Sequence, residues 1–200
     1  MDNIERKMYK VVLLGDNYIG TTCLIRRYIY NEYDPTKYSY SAKLFEKTII
    51  LENGKEVLCQ FWDLYNQERY YSLNKLYIKK SHGIILTYDI TKRSSFERMH
   101  YLLDMVKRDF EGIILFALVG LKIDSFMEEE VSEEEARKFA KDNNMPFYLT
   151  SAKENSGVYE CFNGIINELS RKEEIENENK NIINLNNIRR ERPSKKGCLK

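Results

Sequence analysis

Near the amino terminus, Gly15-Asp16-Asn17-Tyr18-Ile19-Gly20-Thr21-Thr22 sets two glycines five apart and ends on two hydroxyls. This is the spacing of a phosphate loop, G-x-x-x-x-G-K-[ST], with Thr21 standing where the lysine belongs. Such a loop turns backbone N–H groups and a helix N-terminus toward an anion. Thr22 could offer its hydroxyl to a magnesium ion. Thr21 can hydrogen-bond, but it brings no charge and reaches less far than a lysine. A hydrogen bond to a charged group is worth about 1.5–3 kcal/mol. Its loss weakens phosphate binding by roughly one to two orders of magnitude.

The motif needs a strand before it and a helix after it. Val11-Val12-Leu13-Leu14 is a short apolar run ending at Gly15, and Gly20 to Tyr30 is compatible with a helix. Thr48 to Leu51 and Val57 to Trp62 are strand candidates separated by Glu52-Asn53-Gly54-Lys55, and Asn-Gly is a strong hairpin signal. Gly83 to Asp89 and Ile113 to Val119 are further buried strands, and Phe147 to Leu149 is a short one. Helical spacing marks Ser95 to Phe110 through Phe96, Met99, Leu102, Leu103 and Val106. Ser132-Glu133-Glu134-Glu135 is a capping box opening a helix through Asn143, and Val158 to Leu169 is a last amphipathic helix. This alternation predicts βαβ units and a mostly parallel sheet, with the hairpin adding an antiparallel edge strand. In such sheets ligands bind at the carboxyl ends of the strands. Four segments follow strand ends: Gly15 to Thr22, Asp63 to Glu68, Gly120 to Asp124, and Thr150 to Lys153.

Composition narrows the classes. The chain has 200 residues and a net charge of +1, which argues against a whole-domain nucleic-acid binder. No apolar run is long enough to span a membrane, and the opening MDNIERKMYK lacks the apolar core of a signal peptide, so secretion is not expected. Cys23, Cys59, Cys161 and Cys198 form no C-x-x-C pair, so neither a zinc site nor a disulfide framework is expected. His82 and His100 are the only histidines and suggest no shared metal or catalytic dyad. Beyond about Ser170 the chain becomes rich in Glu and Asn, and RRERPSKKGCLK at the end carries six basic residues and one acidic, a net of +5. Residues 171–200 are therefore read as a mobile tail, into which the last helix continues for some residues, and 1–170 as the folded domain.

At this point the chain resembles the Ras superfamily of small GTPases, and its Rab branch most closely. The resemblance spans roughly residues 8–170. It rests on the loop with Cys23-Leu24 after it, Gln60-Phe61-Trp62-Asp63, Gln67-Glu68-Arg69-Tyr70, Gly83 to Thr91 (GIILTYDIT) and Thr150-Ser151-Ala152-Lys153. It implies an α/β small G-protein (P-loop NTPase) fold, with a six-stranded mostly parallel sheet, one antiparallel edge strand and five helices. It also implies GTP or GDP with magnesium as ligands.

The resemblance assigns roles residue by residue. Residues Gly15, Asp16, Asn17, Tyr18, Ile19, Gly20, Thr21, Thr22 and Cys23 would surround the phosphates, with Thr22 and Asp63 serving the magnesium. The family's D-x-x-G-Q reads Asp63-Leu64-Tyr65-Asn66-Gln67. Gln67 matches the residue that orients the attacking water. Asn66 replaces a glycine, and asparagine is the side chain that best tolerates left-handed backbone angles. The switch threonine is displaced: counted without gaps its place falls to Tyr40, beside Ser39, and Thr36 in Glu32-Tyr33-Asp34-Pro35-Thr36 is another candidate. N-K-x-D reads Leu121-Lys122-Ile123-Asp124. Asp124 would accept from guanine N1–H and the 2-amino group, and Lys122 would lie along the base. Leu121 cannot make the asparagine's hydrogen bonds. Ser151-Ala152-Lys153 is intact and would meet the guanine oxygen through its backbone.

Two functions are weighed on these residues. One is a Rab-like guanine-nucleotide switch in vesicle traffic, hydrolysing GTP weakly because Thr21 lacks the lysine's charge. The other is a pseudo-GTPase scaffold that binds a protein partner constitutively through the switch surface. A P-loop kinase or ATPase is disfavoured, since it would not call for Lys122, Asp124 and Ser151-Ala152-Lys153 together. Expected partners are effectors, exchange factors and an escort for a lipidated tail, with the chain itself a monomer. The tyrosines at 28, 30, 33, 38 and 40 suit either a packed loop or an aromatic docking surface, to which Trp62 and Tyr77 would add. Cys198 is followed by two residues, so it forms no C-a-a-X box. One prenyl chain there, with the basic residues around it, would still hold the protein at the cytosolic face of an endomembrane.

Overall fold

The computed structural model describes residues 7–37, 41–64 and 71–190. Among these residues six strands form one sheet: β1 (Met8–Gly15), β2 (Lys43–Ile50), β3 (Glu56–Asp63), β4 (Gly83–Asp89), β5 (Leu115–Leu121) and β6 (Phe147–Thr150). Their order is β2-β3-β1-β4-β5-β6. Every pairing is parallel except β2 with β3 at one edge. The expected hairpin is present. Gly54 takes φ 79°, a left-handed angle that glycine adopts without steric cost, and its N–H reaches the Leu51 carbonyl at 2.8 Å.

Among the described residues, five α-helices flank the sheet: α1 (Thr21–Tyr30), α2 (Tyr71–Ile78), α3 (Arg93–Asp109), α4 (Glu133–Asp142) and α5 (Val158–Arg190). A 3-10 helix covers Ile123–Glu128. Strand side chains alternate between faces, and the two faces carry separate apolar clusters. Val11 and Leu13 face Leu24, Phe162 and Ile166 of α1 and α5, while Val12 and Leu14 face Ile78, Met99 and Leu103 of α2 and α3. All seven β4 residues are buried, as expected of a central strand covered on both sides.

The capping box is half realised. Ser132 Oγ accepts from the Glu135 N–H at 3.2 Å, but the Glu135 carboxylate accepts from Nη1 and Nη2 of Arg93, at 2.5 and 2.6 Å. A bidentate, charge-assisted pair outcompetes a single bond to a backbone N–H. The boundary read at residue 170 falls inside α5, which continues as one helix to Arg190. Lys7, just before β1, with Glu173 at 2.6 Å, and Lys55 of the β2–β3 turn with Glu174 at 3.1 Å, tie its next turn to the sheet. The rest of the proposed tail, with Cys198, lies outside the described residues.

This topology fixes where a ligand must go. The chain leaves β1 toward β3 on one side and returns to β4 on the other, so the crevice opens beyond the carboxyl end of β1.

Candidate functional site

The loop from Gly15 to Gly20 turns at that crevice, and α1 starts at Thr21 with Gly20 as its N-cap at φ 113°. No side chain caps this helix end, and its first turn carries no acidic residue. The first intrahelical bond runs from the Leu24 N–H to the Gly20 carbonyl at 3.0 Å. The N–H groups of Thr21, Thr22 and Cys23 therefore have no carbonyl behind them within the helix, and the helix dipole adds positive potential at the same place. Gly15 is required by contact: a Cβ there would stand 2.2 Å from Thr87 Oγ1.

Two adjoining cavities form one cleft. The first, about 100 Å³, is walled by the loop residues Asp16 to Cys23 together with Pro35, Lys37, Asp63 and Leu64. The second, about 340 Å³, lies between Tyr33, Leu121, Lys122, Asp124, Ser125, Ala152 and Lys153. Gly20, Cys23 and Pro35 line both.

In the first cavity the Thr22 hydroxyl donates to Asp63 Oδ2 at 2.5 Å. Asp63 is buried at the end of β3, and burial pushes its carboxyl pKa up, while the Thr22 hydroxyl and the Lys43 charge pull it down. A hydroxyl and a carboxylate side by side form the oxygen donor set that suits a hard divalent cation. Thr21 also lines the cavity, but its hydroxyl is engaged with that of Thr87 on β4, 3.1 Å away. Asp16 accepts from Lys92 Nζ at 3.1 Å and from the Asn17 N–H at 2.9 Å.

In the second cavity Asp124 is fixed by Ser151, whose hydroxyl donates to Oδ1 at 2.6 Å, with Lys153 Nζ at 3.8 Å from Oδ2. Lys122 sits at φ 64°, its ammonium 2.6 Å from buried Asp89. Its stem passes over Gly20, where an added Cβ would lie 3.8 Å from Lys122 Cε. Leu121 packs into the core at 3% exposure, so this position adds no polar group to the cleft. Arg27 of α1 holds the far wall: Nε donates to the Ala152 carbonyl at 2.7 Å, and Nη1 to the Asn31 carbonyl at 2.8 Å.

The Ras family model matches residues 10–171. The chain belongs to the Ras family. Within that family it is Rab-like. It is 35% identical to the GTP-binding protein ypt3 of Schizosaccharomyces pombe over 165 residues, 82% of this chain and 77% of that one. It is 33% identical to the Ras-related protein Rab-39A of Mus musculus over 187 residues, covering 88% and 85% of the two chains. The Ras-related protein Rab-13 of Mesocricetus auratus is 32% identical over 162 residues, 81% and 80% of the two. The six-stranded sheet with one antiparallel strand is the Ras-like P-loop fold.

The structure brings Gly15 to Cys23, Asp63, Leu121, Lys122, Asp124, Ser151, Ala152 and Lys153 to the same end of the sheet. Asn66, Gln67, Ser39 and Tyr40 lie outside the described residues. Thr36, the other switch candidate, directs its hydroxyl back to Asp34 Oδ1 at 2.6 Å, while its neighbours Pro35 and Lys37 line the cavity. The tyrosine group divides. Tyr28 is core, stacked on Phe162 with centroids 4.3 Å apart and donating to Asn163 at 2.6 Å, whereas Tyr30 and Tyr33 are exposed. Trp62 and Tyr77 do meet, with centroids 4.9 Å apart. Sequence reasoning missed Thr87, Lys37 and Arg27. Each acquires its place through a fold contact, and no local motif marks it. No helix among the described residues is long and apolar enough to cross a membrane.

Proposed function

We propose that this Ras-family chain binds guanine nucleotide with magnesium and works as a Rab-like switch in vesicle traffic. The observation that carries the reading is the continuity of the cleft. An uncapped helix end, suited to phosphates, adjoins a cavity in which Asp124 is oriented by Ser151.

The residues present fit the ligand. The N–H groups of the loop and of Thr21 to Cys23 would hold the phosphates. Thr22 and Asp63 would hold the cation, which when bound neutralises charge on the phosphate oxygens. Asp124 is an acceptor for a base that presents two adjacent N–H donors, which guanine does and adenine does not. The Lys122 stem, fixed by Asp89, supplies an apolar and cationic wall for the base. Ala152 and Lys153 close the rim, and Arg27 keeps it in place. Gln67 would orient the attacking water, with Asn66 in place of the glycine before it. Hydrolysis is expected to be weak, because a threonine that bonds Thr87 adds no charge at the phosphates.

Effectors and regulators would dock on the switch surface, where Trp62, Tyr77 and exposed Tyr33 lie. The basic end with Cys198 would attach the protein, as a monomer, to the cytosolic face of an endomembrane. The second reading, a scaffold that does not cycle nucleotide, is favoured by Thr21 and Leu121 together, since both family side chains that would bond the ligand are replaced.

The test is the nucleotide content of the purified full chain, followed by calorimetric titration with GDP, GTP and ATP in magnesium. Bound guanine nucleotide, or micromolar or tighter guanine-selective binding, supports the switch. A folded protein silent in all three titrations leaves the scaffold reading.

A further inference from the structure

The cavity at the phosphate end of the cleft is lined by two carboxylates, Asp16 and Asp63, and one lysine, Lys37. Of the other lysines nearby, Lys43 acts on Asp63 through its charge, and two are engaged with further carboxylates. Lys92 holds Asp16 at 3.1 Å, and Lys122 holds Asp89 at 2.6 Å. Lys37 is held loosely. Its ammonium lies 3.6 Å from Asp34 Oδ2, beyond hydrogen-bond distance, and the two side chains are 55% and 34% exposed. The other oxygen of Asp34 accepts from the Thr36 N–H at 3.0 Å and from its hydroxyl at 2.6 Å. A solvent-exposed pair of this kind adds little to stability and exchanges readily for a better anion.

Position along the cleft matters as much as charge. Pro35 and Cys23 line both cavities, but Lys37, Asp63 and Thr22 line only the one remote from Asp124. A nucleotide with its base at Asp124 would end its phosphate chain beside Lys37.

We propose that Lys37 supplies the positive charge missing from the phosphate loop at Thr21, by bonding the terminal phosphate of a nucleoside triphosphate. This rests on the nucleotide-binding reading above. A phosphate chain next to Asp16 and Asp63 meets like charge, and the Thr21 hydroxyl is turned to Thr87. Lysine is a compact point charge on a flexible stem, so it can leave Asp34 for the phosphate without rearranging the sheet. Lys37 also belongs to the connection between α1 and β2. A diphosphate would leave Lys37 with Asp34.

The test compares the full chain with Lys37→Ala and Lys37→Arg by calorimetric titration, using GDP and the slowly hydrolysed analogue GTPγS in magnesium. Lys37→Ala is expected to weaken GTPγS about 10- to 100-fold while leaving GDP within about 3-fold. Lys37→Arg, which keeps the charge, is expected to retain most of the GTPγS affinity. Thr21→Lys on the Lys37→Ala background is expected to restore it. Wild type that binds both nucleotides, with Lys37→Ala unchanged or weakened equally toward both, overturns the assignment and leaves the nucleotide-binding reading standing. Wild type that binds neither removes that reading, and this assignment with it.

Discussion

Thr21 gives its hydroxyl proton to Thr87, 3.1 Å away, because Thr87 has given its own to the Leu14 carbonyl at 3.2 Å. The direction of the pair follows from proton count, since each hydroxyl donates once. Thr87 is fully buried on β4, so the bond fastens the start of α1 to the sheet floor. The loop residue that should face the phosphates is thereby converted into a structural one.

Thr21→Lys should reverse this. Thr87 keeps its bond to Leu14, so no buried polar atom is orphaned, and the new ammonium can turn into the cavity. GDP affinity measured by calorimetry should rise about 10- to 100-fold, corresponding to a charged hydrogen bond of about 1.5–3 kcal/mol. No gain would mean that other substitutions close the pocket. Thr87→Val, in contrast, leaves the Leu14 carbonyl without its donor and should lower stability by about 1 kcal/mol in denaturant unfolding.

Asp124→Asn tests the base pocket. Asp124 Oδ1 already accepts from Ser151, and the carboxylate presents only acceptors to a ligand. An asparagine presents donors as well, which oppose the N–H groups of guanine and match a base with a carbonyl at the same carbon. Competitive titration should show GDP weakened at least 10-fold and xanthosine diphosphate strengthened. Unchanged preference would show that the base is read elsewhere.

Much of the architecture is legible in residue order. The apolar runs at 11–14 and 83–89 and the Asn53-Gly54 turn carry strong local signals, because a buried strand and a tight turn each restrict residue type at their own positions. The first half of β2 does not. Lys43, Leu44 and Glu46 are exposed on an edge strand, and their extended shape is imposed by pairing with β3 rather than by their own preferences. The site divides along the same line. The loop, Asp124 and Ser151-Ala152-Lys153 announce themselves by spacing. Thr87 lies 66 residues from Thr21, and Arg27 lies 125 from Ala152, so their roles exist only once the sheet has formed. Composition also hides the length of α5. Glu- and Asn-rich sequence resembles a tail, yet the helix runs on to Arg190, with Lys7 and Lys55 pairing with Glu173 and Glu174 at its first turn beyond residue 170.

His82 predicts a mild acid sensitivity. Its ring nitrogen Nδ1 accepts from the Lys10 N–H at 2.9 Å, and burial pushes its pKa down; Glu173 pulls it up, and Lys7 and Lys10 push it down. A histidine with a lowered folded-state pKa is neutral when folded and takes up a proton on unfolding. Its contribution is therefore present above about pH 6.5, the ordinary histidine value, and is lost as pH falls toward the folded-state value. The melting temperature should drop between pH 7 and pH 5.5. His82→Gln, which keeps an acceptor for Lys10 but cannot titrate, should flatten that part of the profile; an equal slope in the variant would assign the effect to other groups.

Arg27 ties the base-side loop to the C-terminal end of α1, and its removal should be felt in nucleotide release more than in folding. The guanidinium bonds the Ala152 carbonyl at 2.7 Å and the Lys153 carbonyl at 3.4 Å, while its other nitrogen holds the Asn31 carbonyl and side chain at the end of α1. This planar fork fixes the base-side loop to the helix whose other end faces the phosphates. A lysine offers one point charge in place of the fork and cannot satisfy the three carbonyls together. Arg27→Lys should therefore fail to rescue Arg27→Ala. Both should speed release of a fluorescent GDP analogue about 10-fold, as expected for about 1.4 kcal/mol of lost preorganisation. Stability should fall by about 1–2 kcal/mol, a shift of about 2–8 °C in melting temperature. Faster release with that modest thermal shift would identify Arg27 as a positioning residue of the base pocket. Unchanged release at the same thermal cost would make it a structural tie alone.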